Sequence, residues 1–222
     1  MRPCRRVRKL ARMARRIDTR EPGNRGPSRG RAYLYVLPCA YEDLLKLGFS
    51  RDPLDRMQTL HPRWFEFFDL DRAFLIEAET VRDARDIELG LGHAIAEHNA
   101  PAPLVIRRAA AGHTEWYRGA YARLRTAADM LAAGGYVMHD PLRTWSREAL
   151  SSASDRLFAW TEAMLTPDEL ETPRCLTPNQ QTVRDALDAR VALGLDVDNL
   201  VPTAVLRWYG GVTGYRPQGS MC

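Results

Sequence analysis

Hydrophobic and polar positions alternate in the first part of the chain and follow a helical period in the second. Residues 33–37 are a run of strand-favouring side chains, Tyr-Leu-Tyr-Val-Leu, and residues 44–50 form a second run after a six-residue link. This spacing predicts a β-hairpin. A third strand is predicted over residues 65–76, where aromatic and aliphatic side chains cluster.

Helix start signals follow the hairpin. Asp52 can cap a helix and Pro53 fits its first position, while Asp55 favours the positive end of the helix dipole. Apolar spacing predicts two further helices, over residues 80–98 and residues 121–133. The first half is therefore expected to be a compact β-hairpin–α–β–α unit.

The sequence beyond Gly134 has a mostly helical pattern of apolar positions. Residues 146–165 and 178–193 are predicted helices, and Thr166 with Glu169 has the spacing of a capping box. An aromatic cluster near the end, Arg207-Trp208-Tyr209, either stacks on nucleic-acid bases or packs locally, and packing is the more common use. The predicted fold class is α/β (α+β): a basic arm over 1–30, a β-hairpin–α–β–α domain over 31–133 and a helical extension over 134–222.

Charge is divided unevenly along the chain. Residues 1–31 hold 12 basic and 2 acidic side chains, a net of +10, whereas residues 32–222 hold 20 and 26, a net of −6. The arm would attract a polyanion and the body would not. The arm is a DNA-contacting segment, a disordered tail or over-long gene start with Met13 as the alternative initiator, or a transit peptide. The cations that would contact nucleic acid are Arg5, Arg6, Arg8, Lys9, Arg12, Arg15 and Arg16.

Several classes of protein are excluded by composition. No apolar run is long enough for a membrane span, so we expect no membrane partner and a cytoplasmic location. The four cysteines lack Cys-x-x-Cys spacing, and His93 and His98 are five residues apart, which places them on different sides of a helix. We therefore expect no zinc site.

Lysine is almost absent from the chain. Of 32 Lys and Arg residues only Lys9 and Lys46 are lysine, so an isolated Lys46 adds little to solubility. Unlike arginine, a desolvated lysine can lose its proton, which makes Lys46 a candidate for chemistry. The alternative is a solvated cation at a strand edge.

Glu88 interrupts an apolar stripe. On a helix it lies beside Ala84, Leu91 and Ile95. A lone carboxylate there is unfavourable unless a cation or a metal ion compensates its charge. A Mg²⁺ ion or a neighbouring arginine would satisfy it. Asp83 and Asp86 point away from the stripe and are predicted to be solvated.

The order of these motifs resembles the GIY-YIG nuclease superfamily, over residues 32–120. The resemblance is to the branch with Lys-hydrophobic-Gly as second motif and a Glu-Trp-aromatic end. The opening glycine of the first motif is absent, and His61 matches no family position. The residues that carry the likeness are Tyr33-x-Tyr35, Lys46-Leu47-Gly48, Arg56, Glu88 and Glu115-Trp116-Tyr117.

The resemblance implies an endonuclease that hydrolyses phosphodiester bonds in DNA with one Mg²⁺ or Mn²⁺ per site. It implies Tyr35 and Lys46 at the attacking water, with Tyr33 in the same motif, Arg56 on the phosphate and Glu88 on the metal. A tyrosine is a poor base at its ordinary pKa of about 10, so Lys46 would supply charge to it or share the water proton. The alternative is a protein that keeps this fold and binds nucleic acid or a partner without cleaving.

Overall fold

The computed structural model describes residues 30–106, 113–171 and 175–217. Within them the protein is mixed α/β, with a six-stranded antiparallel sheet and eight helices. The chain divides into two compact units, Met1–Arg143 and Thr144–Cys222. The predicted basic arm, with its candidate DNA-contacting cations, lies outside the described residues.

The sheet belongs to the first unit. Its strands are β1 (Ala32–Pro38), β2 (Leu45–Ser50), β3 (Phe74–Ala78), β4 (Asn99–Ala100), β5 (Trp116–Tyr117) and β6 (Met138–His139). They lie in the order β4-β5-β2-β1-β3-β6, and every neighbouring pair is antiparallel. The predicted hairpin is present as β1 and β2, at the centre of the sheet.

The start signal at Asp52 is confirmed, because its side chain accepts a 3.0 Å hydrogen bond from the backbone N–H of Asp55. The helix over residues 121–133 is confirmed in full, and the helix predicted over 80–98 ends at Ala94. The helices of this unit are α1 (Pro53–Leu60), α2 (Trp64–Phe67), α3 (Val81–Ala94), α4 (Tyr121–Ala133) and the 3₁₀ turn Ala96–His98.

The strand predicted over residues 65–76 is wrong in its first half. Residues Trp64–Phe67 form a single helical turn, closed by hydrogen bonds to the carbonyls of Arg63 and Trp64. Trp64 and Phe65 are buried, and such a short apolar run suits a buried turn as well as a strand. The strand itself begins at Phe74.

The two faces of the sheet carry different partners. Leu34, Val36 and Leu47 point to one face and pack against Ile87 and Leu91 of α3 in the main core of the unit. Side chains at alternate positions, including Tyr35 and Lys46, point to the other face. Helix α1 lies over that second face, where Arg56 contacts Tyr35.

The first unit extends past the expected boundary at residue 133. Met138 and His139 pair with Ile76 and Leu75 as β6, which adds this stretch to the edge of the sheet. Here Tyr136 Oη donates a 3.0 Å hydrogen bond to Asp83, so Asp83 is a half-buried partner and not the solvated charge predicted. Asp86 is exposed as expected.

The second unit is helical. Its core includes Trp208 and Tyr209, which are 4% and 2% exposed, so these two rings pack locally and are not available to stack on bases. The capping pair Thr166 and Glu169 is confirmed by reciprocal hydrogen bonds. The helix predicted over residues 146–165 is two helices with a 3₁₀ turn between them. The helices are α5 (Leu142–Ser152), α6 (Leu157–Met164), α7 (Pro178–Ala192) and α8 (Thr203–Thr213).

None of the helices in the described part of the chain has the length and apolar character needed to cross a membrane.

Candidate active site

The register of the β1–β2 hairpin places Tyr35 directly opposite Gly48, and Lys46 opposite Leu37. The Tyr35 ring leans over β2: a Cβ atom built on Gly48 would lie 2.4 Å from Tyr35 Oη and 2.6 Å from Cζ. No real side chain tolerates such contacts with a ring that is 2% exposed. The glycine in the Lys46-Leu47-Gly48 motif therefore makes room for the tyrosine.

Tyr35 is joined to α1 through Arg56. Arg56 Nε donates a long hydrogen bond of 3.4 Å to Tyr35 Oη, so the phenolic hydrogen is directed elsewhere. Burial raises the pKa of Tyr35 above its ordinary value, and the hydrogen bond and charge of Arg56 oppose this only in part. In the structure as it stands, the phenol is protonated at neutral pH.

Lys46 is buried beside this pair, with 1% of the residue exposed. Its Nζ donates to the backbone carbonyl of Thr114 at 2.7 Å and to Glu115 Oε2 at 2.9 Å. Burial lowers the pKa of Lys46, while the hydrogen bond and charge of Glu115 oppose that effect. The solvated-edge alternative is therefore wrong, and Nζ is held beneath the surface.

Glu115 is the anion of that pair. Its Oε2 also accepts a 2.7 Å hydrogen bond from Thr114 Oγ1, and its side chain is 41% exposed. Burial by itself raises the pKa of Glu115, but the hydrogen bonds from Thr114 and Lys46 outweigh it and bring the pKa below its ordinary value. Glu115 is ionised at neutral pH and presents one carboxylate oxygen outward.

Glu88 projects from α3, whose apolar side packs on the opposite face of the sheet. Its side chain is half-buried, and among the described residues its carboxylate has no hydrogen bond and no ion pair. Burial first, and then the charge of Glu115, raise the pKa of Glu88, and the charge of Lys46 opposes them. No arginine among those residues forms the ion pair that the alternative predicted, although the charge of Arg85, three residues earlier on α3, also opposes the raised pKa.

These side chains act on one another electrostatically. The charge of Glu88 raises the pKa of both Tyr35 and Lys46, although α3 packs on the face of the sheet opposite to theirs. Arg56 lowers the pKa of Tyr35, of Lys46 and of Glu115. Tyr35, Arg56 and Lys46 share one face of the sheet. Helix α3, which carries Glu88, packs on the opposite face, so Glu88 acts on Tyr35 and Lys46 through its charge and without a hydrogen bond.

Tyr33 lies on the same face of the sheet as Tyr35, but its ring is directed toward the edge strand β6. Its ring centroid is 6.2 Å from that of His139 on β6, whereas Tyr35 leans over β2. His61, which matched no family position, stacks on Phe67 at 4.5 Å and accepts a hydrogen bond from the backbone of Arg63. It stabilises the turn after α1.

A divalent cation would find carboxylate oxygen donors here. The described residues contain no group of three or more His, Cys, Asp or Glu side chains placed to hold a metal. A single carboxylate with waters and phosphate oxygens is, however, a normal environment for Mg²⁺. The half-buried, unpaired carboxylate of Glu88 fits that requirement, because a nearby cation would remove the penalty of its charge.

Two residues of the site, Thr114 and Glu115, received no role from sequence reasoning. They lie 68 and 69 positions after Lys46 and contact it only in the fold. The sequence contained one signal, the Glu115-Trp116-Tyr117 motif; the structure adds the pairing of β2 with β5, which sets Trp116 opposite Lys46 and brings Glu115 close.

Comparisons with known proteins found no match: no family model, no curated protein and no solved structure matches the chain.

Proposed function

We propose that this protein is a metal-dependent endonuclease of the GIY-YIG type that hydrolyses phosphodiester bonds in DNA. The observation that carries the proposal is the unpaired carboxylate of Glu88 within electrostatic reach of the Tyr35–Arg56 and Lys46–Glu115 pairs. The antiparallel sheet supports it too, since the hairpin carries Tyr35 and Lys46 and the following helices carry Arg56 and Glu88 in the expected order.

Hydrolysis of a phosphodiester requires a deprotonated water, neutralised phosphoryl oxygens and help for the leaving 3′ oxygen. Arg56 supplies a planar guanidinium, which suits a phosphate oxygen. Tyr35 accepts the N–H of Arg56, which leaves its own hydrogen to be donated elsewhere, and a water or substrate oxygen would accept it. Glu88 would hold Mg²⁺ or Mn²⁺, which supplies charge neutralisation at the phosphate and the leaving oxygen.

Lys46 contributes by its charge and not by contact. Because Nζ is buried and donates to Thr114 and Glu115, it does not reach the attacking water. Its ammonium lies on the strand beside Tyr35 and favours the ionised forms of nearby acids, including Glu88. Since burial keeps the phenol of Tyr35 protonated, nearby positive charge is what a role in water activation would require.

The test is nicking of supercoiled plasmid DNA with Mg²⁺ or Mn²⁺, compared with the same reaction in EDTA. We expect nicked circles only with metal, and none from Tyr35→Phe, which keeps the ring over Gly48 and removes only the hydroxyl. A folded wild-type protein that binds DNA but nicks no plasmid, linear duplex or branched DNA with either metal would contradict the proposal and favour the non-cleaving alternative.

A further inference from the structure

Glu115 adopts a backbone conformation that is unusual for a residue with a side chain. Its φ is +57°, in the left-handed region, and it is the one non-glycine residue there within the described ranges 30–106, 113–171 and 175–217. Side chains rarely occupy this region unless the surroundings enforce it, and such positions cluster at functional sites.

The left-handed conformation changes where the side chain points. The backbone N–H of Leu47 donates to the carbonyl of Glu115 at 3.1 Å, so Glu115 sits beside a residue that faces the main core. With regular strand alternation Glu115 would face the opposite side from Trp116, its neighbour, which is paired with Lys46. Instead its carboxylate lies 2.9 Å from Lys46 Nζ.

Lys46 is thus held at two points by two consecutive residues. The Thr114 carbonyl and the Glu115 carboxylate accept from Nζ, and the Thr114 hydroxyl fixes the same carboxylate oxygen. A fully buried ammonium needs such partners, because removing one leaves an uncompensated charge. Both partners precede β5 directly, so the short strand and its turn anchor the lysine.

From this geometry we infer that Glu115 is a positioning residue, which holds the Lys46 ammonium in place and charged on the face of the sheet that carries Tyr35. The inference rests on the proposed function, since the value of that charge lies in its effect on Glu88. In this role Glu115 acts through Lys46, although its charge also acts directly on Glu88 and Tyr35.

The charged groups that act on Lys46 have opposite effects on it. Glu115 from the β5 turn and Glu88 from α3 stabilise the ammonium, whereas Arg56 from α1 and burial favour the neutral amine. Without the Glu115 charge, Glu88 would be left as the carboxylate that opposes the effects of burial and Arg56 on the pKa of Lys46. The pKa of Lys46 should then fall further, and the amine should lose its proton at a lower pH.

The direct test is an NMR titration of protein labelled with ¹³C-lysine. The chain contains two lysines, so the spectrum has two sets of side-chain signals, and the set lost in Lys46→Arg belongs to Lys46. In Glu115→Gln, which keeps the shape and loses the charge, we expect the Lys46 midpoint to fall by about one pH unit or more. Glu115→Asp, which keeps a carboxylate, should restore part of it.

Thr114→Val covers the case in which Glu115→Gln does not fold. It removes the hydroxyl that fixes the carboxylate and keeps the carbonyl that Lys46 contacts, so a smaller shift in the same direction is expected. A Lys46 midpoint that is the same in wild type and in these variants would overturn the inference.

Plasmid nicking over a range of pH provides the second readout. We expect the alkaline limb of the rate profile to move to lower pH in Glu115→Gln, with DNA affinity little changed. A shifted Lys46 midpoint with an unshifted rate profile would overturn the positioning role. A shifted midpoint in a protein whose wild type does not nick DNA would instead support the Lys46–Glu115 pairing and contradict the proposed function.

Discussion

The phenol ring of Tyr35 covers the backbone of Gly48, its partner across the hairpin, so closely that the two residue types depend on each other. A single added carbon at Gly48 would meet the ring at 2.4 to 2.8 Å. The glycine therefore determines where the hydroxyl of Tyr35 lies, and with it the hydrogen bond to Arg56. A motif position without a side chain in this way controls the geometry of the catalytic candidate.

Gly48→Ala should displace the Tyr35 ring. We expect a loss of about 1–3 kcal/mol in the free energy of unfolding, typical of overpacking, together with a large loss of nicking. Gly211→Ala is the matched control, because a Cβ there meets nothing within 4 Å. Denaturant unfolding and plasmid nicking check both variants, and unchanged values for Gly48→Ala would show that the ring can move aside freely.

Glu88→Ala should abolish cleavage and leave DNA affinity largely intact, since it removes a metal-binding carboxylate and not a phosphate-binding cation. The expected loss in rate is about 100-fold or more. Asp86→Ala removes an exposed carboxylate two residues earlier on the same helix and should be near wild type. Nicking by Glu88→Ala at saturating Mg²⁺ would rule out the assigned role of Glu88.

Glu88→Gln should stabilise the metal-free fold at neutral pH. The pKa of Glu88 is raised in the folded state, so its ionised form is disfavoured by folding, whereas its protonated form carries no such penalty. The stabilisation, about 1 kcal/mol or less for a half-buried group, should be present above the folded-state pKa and vanish as the pH falls below the unfolded-state value of about 4.3. Thermal unfolding of both proteins between pH 3 and pH 8 measures it, and a less stable Glu88→Gln at pH 7 would show an unrecognised partner for the carboxylate.

Lys46→Arg should be inactive or nearly so. The charge is preserved, but the larger planar guanidinium does not fit a position that is 1% exposed and shaped for one ammonium between Thr114 and Glu115. We expect the nicking rate to fall by about 100-fold or more, as when one preorganised charge is lost.

Arg123→Lys is the control for that exchange, because Arg123 forms an exposed ion pair with Glu97 and should tolerate the substitution. Near-wild-type nicking by Lys46→Arg would mean that any cation suffices there, and would remove the argument from the scarcity of lysine.

Local signals in the sequence determined the elements of the first unit that depend on short-range interactions. The central hairpin, the cap at Asp52 and the helix Tyr121–Ala133 follow from residue preferences and spacings of a few positions. The aromatic turn Trp64–Phe67 was predicted as a strand because a short apolar run shows no periodicity that would distinguish a strand from a helix.

The candidate site shows the same difference between what local sequence predicts and what only the tertiary structure decides. Motif order proposed Tyr35, Lys46, Arg56 and Glu88 as candidates, but the contacts of a residue such as Lys46 depend on chain segments far away in sequence. Only the tertiary structure decided that Lys46 is buried against Thr114 and Glu115, because strand pairing brings together positions 68 and 69 residues apart. Desolvation, which sets the direction of the pKa shifts of Tyr35, Lys46 and Glu88, likewise exists only once the sheet and its helices have closed around these side chains.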